Sequence, residues 1–317
     1  MKKTALAFLA ASLATAFAAT PAMAAAPMAK TPAPGYFRMM LGDFEITPVS
    51  DGTVDLPMNK LLNDKPANID AQLAKYHLGA MVETSDNVFV INTGTKLVMV
   101  DTGAGVLFGP TLGKLIANLK AAGYQPEQVD EIYLTHMHGD HVGGLLSDGK
   151  IAFPNAIVRA AKADADFWLS QANMDKAPED GKGTFKGAMA SLNPYIQAGK
   201  FKTFTGNIEL VPGVSAVATH GHTPGHTSYM VESKGTKMML IGDLIHAAAV
   251  QMENPAVTIN FDSDKKAAAA ARKKAFDAAA KGGYLIGGAH LQFPGVGYLA
   301  PSGKGYRWIP VNYTQMR

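Results

Sequence analysis

The chain has no cysteine among its 317 residues. No disulfide can form, and any metal must be held by nitrogen and oxygen donors rather than thiolates. A lipid-modified N-terminal cysteine is excluded for the same reason. Charge of one sign is also scarce, with 29 basic residues against 26 acidic ones. Loss of Lys2 and Lys3 with a leader would leave 27 against 26, a net charge of +1. That balance supplies no concentrated positive field for nucleic acid or an anionic membrane surface, so neither partner is expected. Long apolar runs are missing after the N-terminus, because charged or polar residues interrupt every candidate. There is no Gly-x-Ser-x-Gly elbow to suggest a serine nucleophile.

The N-terminus itself carries Lys2 and Lys3, an apolar run from Ala5 to Ala19, and the small-residue pattern Ala22-Met23-Ala24. These are the parts of a secretory signal peptide. The run is shorter than the ~20 residues a membrane span needs. Cleavage after Ala24, a periplasmic or secreted location and no membrane anchor are therefore expected. Residues 25–35 form an Ala- and Pro-rich lead-in without apolar period and read as disordered. Residues 36–317 read as one domain, long enough to bury a sizeable core.

Short strand patterns cover Phe37 to Leu41 and Phe44 to Val49. The stretch Asp51 to Ala71 shows neither helical nor strand period and is expected to be an irregular loop. Its apolar part, Leu56 to Leu62, would serve as a lid or as a homodimer face. Asn87 to Asn92 and Lys96 to Asp101 read as a hairpin whose second strand is buried on both faces. Helices are expected over Pro110 to Ala122, from Val142, and over Lys162 to Ala172, Thr184 to Gln197 and Asp264 to Ala280. Strands are expected at Glu131 to Leu134, Ala156 to Arg159, Ser215 to Thr219, Ser228 to Glu232, Met238 to Ile241 and Tyr284 to Ile286. Alternating strands and helices with hairpins mixed in indicate a layered α/β domain with mixed sheets.

Thr135-His136-Met137-His138-Gly139-Asp140-His141 places four metal-competent side chains in six positions, in a chain with 9 histidines. They follow an apolar strand. His136 and His138 point one way from the strand end, while Asp140 and His141, at the start of a helix, point another. Two adjacent ligand sets suit two ions, whereas a metal-free cluster would crowd imidazoles that are costly to charge or bury. Three more strand ends bring His222 in Gly221-His222-Thr223-Pro224-Gly225-His226, Asp243 in Ile241-Gly242-Asp243, and His290 in Gly287-Gly288-Ala289-His290. Open α/β sheets build their sites at strand ends. A water shared by two such ions is acidified enough to be a nucleophile at neutral pH, which makes hydrolysis the reaction class.

The H-x-H-x-D-H signature and the ordered arrival of His222, Asp243 and His290 resemble the metallo-β-lactamase superfamily, from about Asp43 to His290. The resemblance implies a four-layer αβ/βα sandwich with two mixed sheets. It implies that His136, His138 and His222 hold one ion, that Asp140, His141 and His290 hold the other, and that Asp243 bridges them, with Asp140 and Asp243 central to catalysis. Zn²⁺ is the default metal. Asp101 matches a supporting carboxylate position, and a nearby carboxylate can fix a histidine tautomer. Its other reading is a turn cap. His226 divides between a donor to a substrate or supporting carboxylate and a structural histidine, and His77 and His220 read as structural.

Within the superfamily the chain is most similar to the exported methyl parathion hydrolase group, which includes aryl-ester and lactone hydrolases. Phe108, Trp168 and Phe185 match aromatics lining that group's pocket, although core packing is the commoner fate of aromatics. Leu61, His246, Ile259 and Phe261 fall where the chain departs from the organophosphate-hydrolysing members. A small neutral aromatic lactone or ester is the expected substrate, with an organophosphate as the alternative. A β-lactamase is disfavoured because those members generally lack the carboxylate supplied by Asp243. A nuclease would need a basic channel, and a metal-binding scaffold without activity would be expected to have lost ligands.

Overall fold

Leu97, Val98, Met99 and Val100 form a strand buried along its whole length, and a strand sends successive side chains to opposite faces. Leu97 and Met99 lie in one core with Leu115, Ile132 and Leu192. Val98 and Val100 lie in another with Tyr133, Val214 and Leu240. The strand Thr236–Leu240 repeats the device: Met238 and Leu240 face that second core, and Met239 faces a third with Phe276 and Ile286. Helix, sheet, sheet and helix therefore stack around three cores, the αβ/βα sandwich expected from the sequence.

The computed structural model describes residues 26–313, so the leader expected over residues 1–24 lies outside them. The described residues before Pro34 and those from Pro34 on form separate units. Residues 26–33 are exposed and carry no helix or strand. Among the described residues no helix is long and apolar enough to cross a membrane.

The first sheet has seven strands in the order Met39–Leu41, Phe44–Pro57, Met81–Asn92, Leu97–Val100, Glu131–Tyr133, Ile157–Ala161 and Phe201–Phe204. The second runs Ile208–Val211, Val214–Ala218, Thr227–Ser233, Thr236–Leu240, Leu285–Gly287, Val296–Ser302 and Gly305–Pro310. Leu97–Val100, Glu131–Tyr133 and Ile157–Ala161 are parallel, as are Thr236–Leu240 and Leu285–Gly287. Parallel neighbours need crossovers, which the helices Leu115–Ala121 and Lys265–Gly282 help supply. Val214–Ala218 is antiparallel to Thr227–Ser233, which is antiparallel to Thr236–Leu240, so the first and last of these point the same way. Asp101, His136, His222, Asp243 and His290 each follow the C-terminal end of one of these strands within four residues.

Asp51 to Ala71 is not irregular. The strand Phe44–Pro57 continues through Asp51, and the helices Met58–Leu61 and Pro66–Ala74 follow. Asp51-Gly52 resembles a turn in sequence but is a bulge, with the register shifting between Ser50 and Gly52. Asp51 turns inward and accepts hydrogen bonds from the N–H groups of Ala104, Gly113 and Leu115. Leu56 to Leu62 is not an exposed loop either, because Met58 and Leu62 are buried with Ile69, Leu73, Val250 and Ile259 in a smaller core.

The helix expected from Pro110 starts only at Leu115, since Gly109 and Gly113 take positive φ before it. Lys162 to Ala172 is divided, because Ser170 caps a second helix, Gln171–Lys176, by accepting from the Asn173 N–H. Asp264 does cap the long helix Lys265–Gly282, accepting from the Ala267 N–H.

Candidate metal centre

His138 occupies the extended position before the short helix Gly139–Val142, so His136 and His138 project from a strand-like approach and Asp140 and His141 from the helix. Gly139 lies beneath the exposed Phe108 ring, which a Cβ there would meet at 2.8 Å and push aside. Gly242 turns at positive φ, and a Cβ on it would lie 2.8 Å from His226 Nε2. The missing side chain lets the Asp243 backbone back onto that ring.

Seven side chains from the two sheets meet in two groups, His136, His138, His222 and Asp243, and Asp140, His141, Asp243 and His290. One donor atom from each member lies within 4.8 Å of the others in its group. Asp243 belongs to both through different oxygens. Its Oδ2 is 3.2 Å from His222 Nε2 and 3.6 Å from His136 Nε2. Its Oδ1 is 3.2 Å from His141 Nε2 and 3.1 Å from His290 Nε2. Asp140 Oδ2 stands 3.7 Å from both of the latter rings. His136 Nε2, His141 Nε2 and Asp243 Oδ1 are buried with no hydrogen-bond partner. Such atoms are costly to leave unsatisfied, and all-nitrogen-and-oxygen donors with these orphans fit two divalent ions.

The far nitrogens of His141, His222 and His290 are occupied, which fixes the orientation of those rings. His141 Nδ1 is 2.9 Å from Asp101, which also accepts from the Thr135 N–H and hydroxyl. His222 Nδ1 is 2.9 Å from Asp262, and His290 Nδ1 is 2.9 Å from the Ser85 carbonyl. His226 is buried beneath the site: its Nε2 accepts the Asp243 N–H at 3.0 Å while Nδ1 faces Thr219. It holds the shared carboxylate through the backbone. His77 and His220 are exposed and belong to neither group.

Sequence reasoning missed Asp262 and Asp164. Asp164 is fully buried and accepts from the N–H groups of Met137 and Gly225, tying the two histidine-bearing loops together. Its signal was an aspartate shortly after a buried strand, the same signal as Asp243. Asp262 sits in Asn260-Phe261-Asp262-Ser263-Asp264, where turn-forming residues conceal it. Asp262→Ala leaves His222 without a partner and should weaken metal retention or turnover by about 10- to 100-fold. Wild-type retention and turnover in a folded variant would show that the ring is fixed by something else.

Burial alone lowers an imidazole pKa and raises a carboxyl. His136 and His138 do fall, His138 to about 3. Burial also acts on His290, but Asp243 and Asp140 outweigh it and push the ring up to about 9. Burial would raise Asp243, yet His141, His290, His136 and His246 together hold it well below the usual carboxylate range. A ring that keeps its proton at pH 7 must release it before binding a metal. Metal uptake at pH 7 should therefore expel protons, and affinity should weaken as the pH falls below about 9. Calorimetric titration in two buffers of different ionisation enthalpy measures this, and a buffer-independent enthalpy would contradict it.

Trp168 packs against His138 at 5.2 Å between ring centres, and Phe185 against Trp168 at 4.7 Å. Both are buried in the first core, so Phe185 backs the site rather than walling an open pocket. Phe108 is half-exposed over Gly139, and Phe261 is 41% exposed with its ring 5.9 Å from His246. His246 Nε2 lies 3.1 Å from Asp243 Oδ2. Leu61 is half-buried, and Ile259 is fully buried in the smaller core, bridged to Leu62. Ile259 thus supports the pocket edge from behind, a correction to its expected place on the pocket surface.

A pair of four-donor groups sharing one carboxylate, at one edge of an αβ/βα sandwich, defines a metal-dependent hydrolase. Residues 82–286 match the model of the metallo-β-lactamase superfamily, and the chain belongs to that superfamily. Among solved structures it is similar to hydrolase AbOPH of the β-lactamase superfamily, at 38% identity and TM-score 0.86 over 90% of this chain and 100% of that one. It is also similar to AidC, a dizinc quorum-quenching lactonase solved with a product, at 27% identity and TM-score 0.82 over 89% and 99%. An N-acyl homoserine lactonase from Bacillus sp is 28% identical over 194 residues, 58% of this chain and 69% of that protein. One from Bacillus cereus is 27% identical over 151 residues, 48% and 52%. The chain thus spans between about half and two thirds of the curated lactonases it matches.

Proposed function

We propose that this protein is an exported hydrolase that opens neutral lactones and esters, aromatic ones foremost, with two divalent ions, zinc being the default. One observation carries the reading: the two oxygens of Asp243 face two separate groups of donors. His136, His138 and His222 would hold one ion, Asp140, His141 and His290 the other, and Asp243 both. When bound, the pair supplies an acidified water and a Lewis acid for the substrate oxygen.

The chain's own residues account for the remainder. Asp243 is ionised and locked by His226, so its bridging position costs no reorganisation during the reaction. Asp140 is the more open carboxylate, its side chain 26% exposed. It too is held below the usual range: burial would raise it, but His141 and His290 prevail. It is placed to take a proton from the attacking water and pass it to the leaving oxygen. His246 is neutral at pH 7, since burial pulls it down to about 4, and its Nε2 stands 3.1 Å from Asp243 Oδ2, where it can donate to the shared carboxylate. Phe108 and Phe261 offer aromatic faces and no cation, with Trp168 buried behind His138, which suits a neutral aromatic substrate. The lactonase names among the relatives support a carbonyl substrate. Lys2, Lys3 and Ala22-Met23-Ala24 support export.

The same machinery can attack phosphorus, so the test compares both centres on one metal-reconstituted preparation: dihydrocoumarin, an aryl acetate, an N-acyl homoserine lactone, methyl parathion and a β-lactam. The lactones or aryl ester should give the highest kcat/KM, and Phe261→Leu should change the ratio of carbonyl to phosphoryl turnover. Methyl parathion as the best substrate, or a ratio unmoved by Phe261→Leu, would overturn the substrate reading. Protein recovered from outside the cytoplasm should begin near Ala25, and retention of Lys2 and Lys3 there would overturn export.

A further inference from the structure

Arg272, on the helix Lys265–Gly282, heads the largest side chains with no solvent exposure. A buried guanidinium is costly unless paired, yet no carboxylate is hydrogen-bonded to this one. Its Nε donates to the Leu244 carbonyl, and Nη1 donates to the carbonyls of Pro255 and Val257, both at 2.8 Å. Nη2 has no partner. All three bonds thus end on two segments: the one that follows Asp243, and the one leading through Ile259 and Phe261 to Asp262.

Gln251, also fully buried, ties the same two segments. Its Oε1 accepts the His246 N–H at 2.8 Å and the Ala247 N–H at 3.0 Å, and its Nε2 donates to the Val257 carbonyl at 3.0 Å. Asp262 continues the connection, accepting the Ile259 N–H and holding His222 Nδ1. No β-ladder fixes these segments: beyond Leu240 the chain runs through two short helical turns and a loop until Asp264. Backbone pairing reaches them at one bridge, Leu62 to Ile259, where Asn63 N–H donates to the Thr258 carbonyl and Asn260 N–H to the Leu61 carbonyl, and side-chain bonds add the remaining ties.

We propose that Arg272, together with Gln251, is a positioning residue that sets the spacing between the Asp243 side and the His222–Phe261 side of the metal centre, and so sets metal retention and substrate fit. It touches neither substrate nor metal and acts through backbone carbonyls. The inference rests on the metal-hydrolase reading above and adds a device to it.

The test compares Arg272→Lys, Arg272→Met and Gln251→Met with Phe276→Leu, a core substitution one turn along the same helix that shares a core with Leu244 and Ile245 but removes no polar tie. Arg272→Lys keeps the charge but loses the planar fork. It should release metal to a colorimetric chelator roughly tenfold faster than the unmodified holoprotein, with KM rising more than kcat falls. Gln251→Met should do the same, whereas Phe276→Leu should lower Tm with metal release and KM unchanged. A soluble Arg272 or Gln251 variant with wild-type metal release and KM overturns the proposal, as does Phe276→Leu reproducing their effects. Hydrogen exchange on the unmodified holoprotein needs no variant: the amides of His246, Ala247 and Ile259 should be protected as long as the amides of the helix Lys265–Gly282, and exchange at loop rates overturns the brace. If no compound in the panel is turned over, the function reading fails while metal release and exchange still judge Arg272.

Discussion

Asp243→Asn should retain fewer than two ions per chain and lose about a thousandfold in turnover, the size expected when several kcal/mol of metal-derived stabilisation disappears. The two Asp243 oxygens serve different groups, Oδ2 beside His222 and Oδ1 beside His141 and His290. An amide keeps one acceptor oxygen and turns an N–H₂ toward the other group, where it offers no lone pair. The lost charge matters as much as the lost lone pairs, because this carboxylate is what opposes the imidazoles packed around it. Elemental analysis and kinetics on one preparation decide the matter: two tightly held ions with unchanged kcat would remove Asp243 from its bridging role.

Gly144→Ala should be nearly as damaging although it changes no functional group. A Cβ on Gly144 would lie 1.9 Å from the Thr102 carbonyl oxygen, and one on the preceding Gly143 would lie 2.0 Å from that of Ala104. Both obstacles are backbone, so the loop after Leu97–Val100 must move. That loop carries Asp101, and Thr102 donates to the His141 carbonyl through both its N–H and its hydroxyl. Forcing it outward draws Asp101 from His141 Nδ1. Overpacking of about 3 kcal/mol would lower Tm by roughly 6–10 °C, with activity falling as well. Gly183→Ala is the contrast: it is exposed, with nothing within 4 Å of the added carbon, and lies inside the helix Lys182–Gln197. Alanine should there be neutral or stabilising by up to ~1 kcal/mol. Equal Tm values for the two variants would refute the close-approach argument.

The donors were legible because their signal is local. Four metal-competent side chains packed into six positions after an apolar strand, among 9 histidines, point to metal and to little else. The strand ends were legible from short apolar runs such as Leu97 to Val100. Asp164 was not, because its one signal, an aspartate shortly after a buried strand, is shared by Asp166; only the fold brings it under Met137 and Gly225. Arg272, amid alanines and lysines, looks solvent-facing until its helix is docked. The strand through Asp51 was hidden by residues poor at forming sheets, since a bulge uses the same Asp-Gly chemistry as a turn. The hairpin Val296–Ser302 and Gly305–Pro310 was hidden by Gly297, Pro301, Gly303 and Gly305.

The first sheet is built from residues 39–204 and the second from residues 208–310, so the sandwich divides at a turn of three residues. His136 and His138 come from the first half and His222 and Asp243 from the second; Asp140 and His141 come from the first and Asp243 and His290 from the second. Each group is thus two residues from one half and two from the other. Neither half owns a site. An ion bound in either place would be a rivet through the seam between the sheets, so metal loading and the docking of the two halves are one equilibrium viewed from two sides.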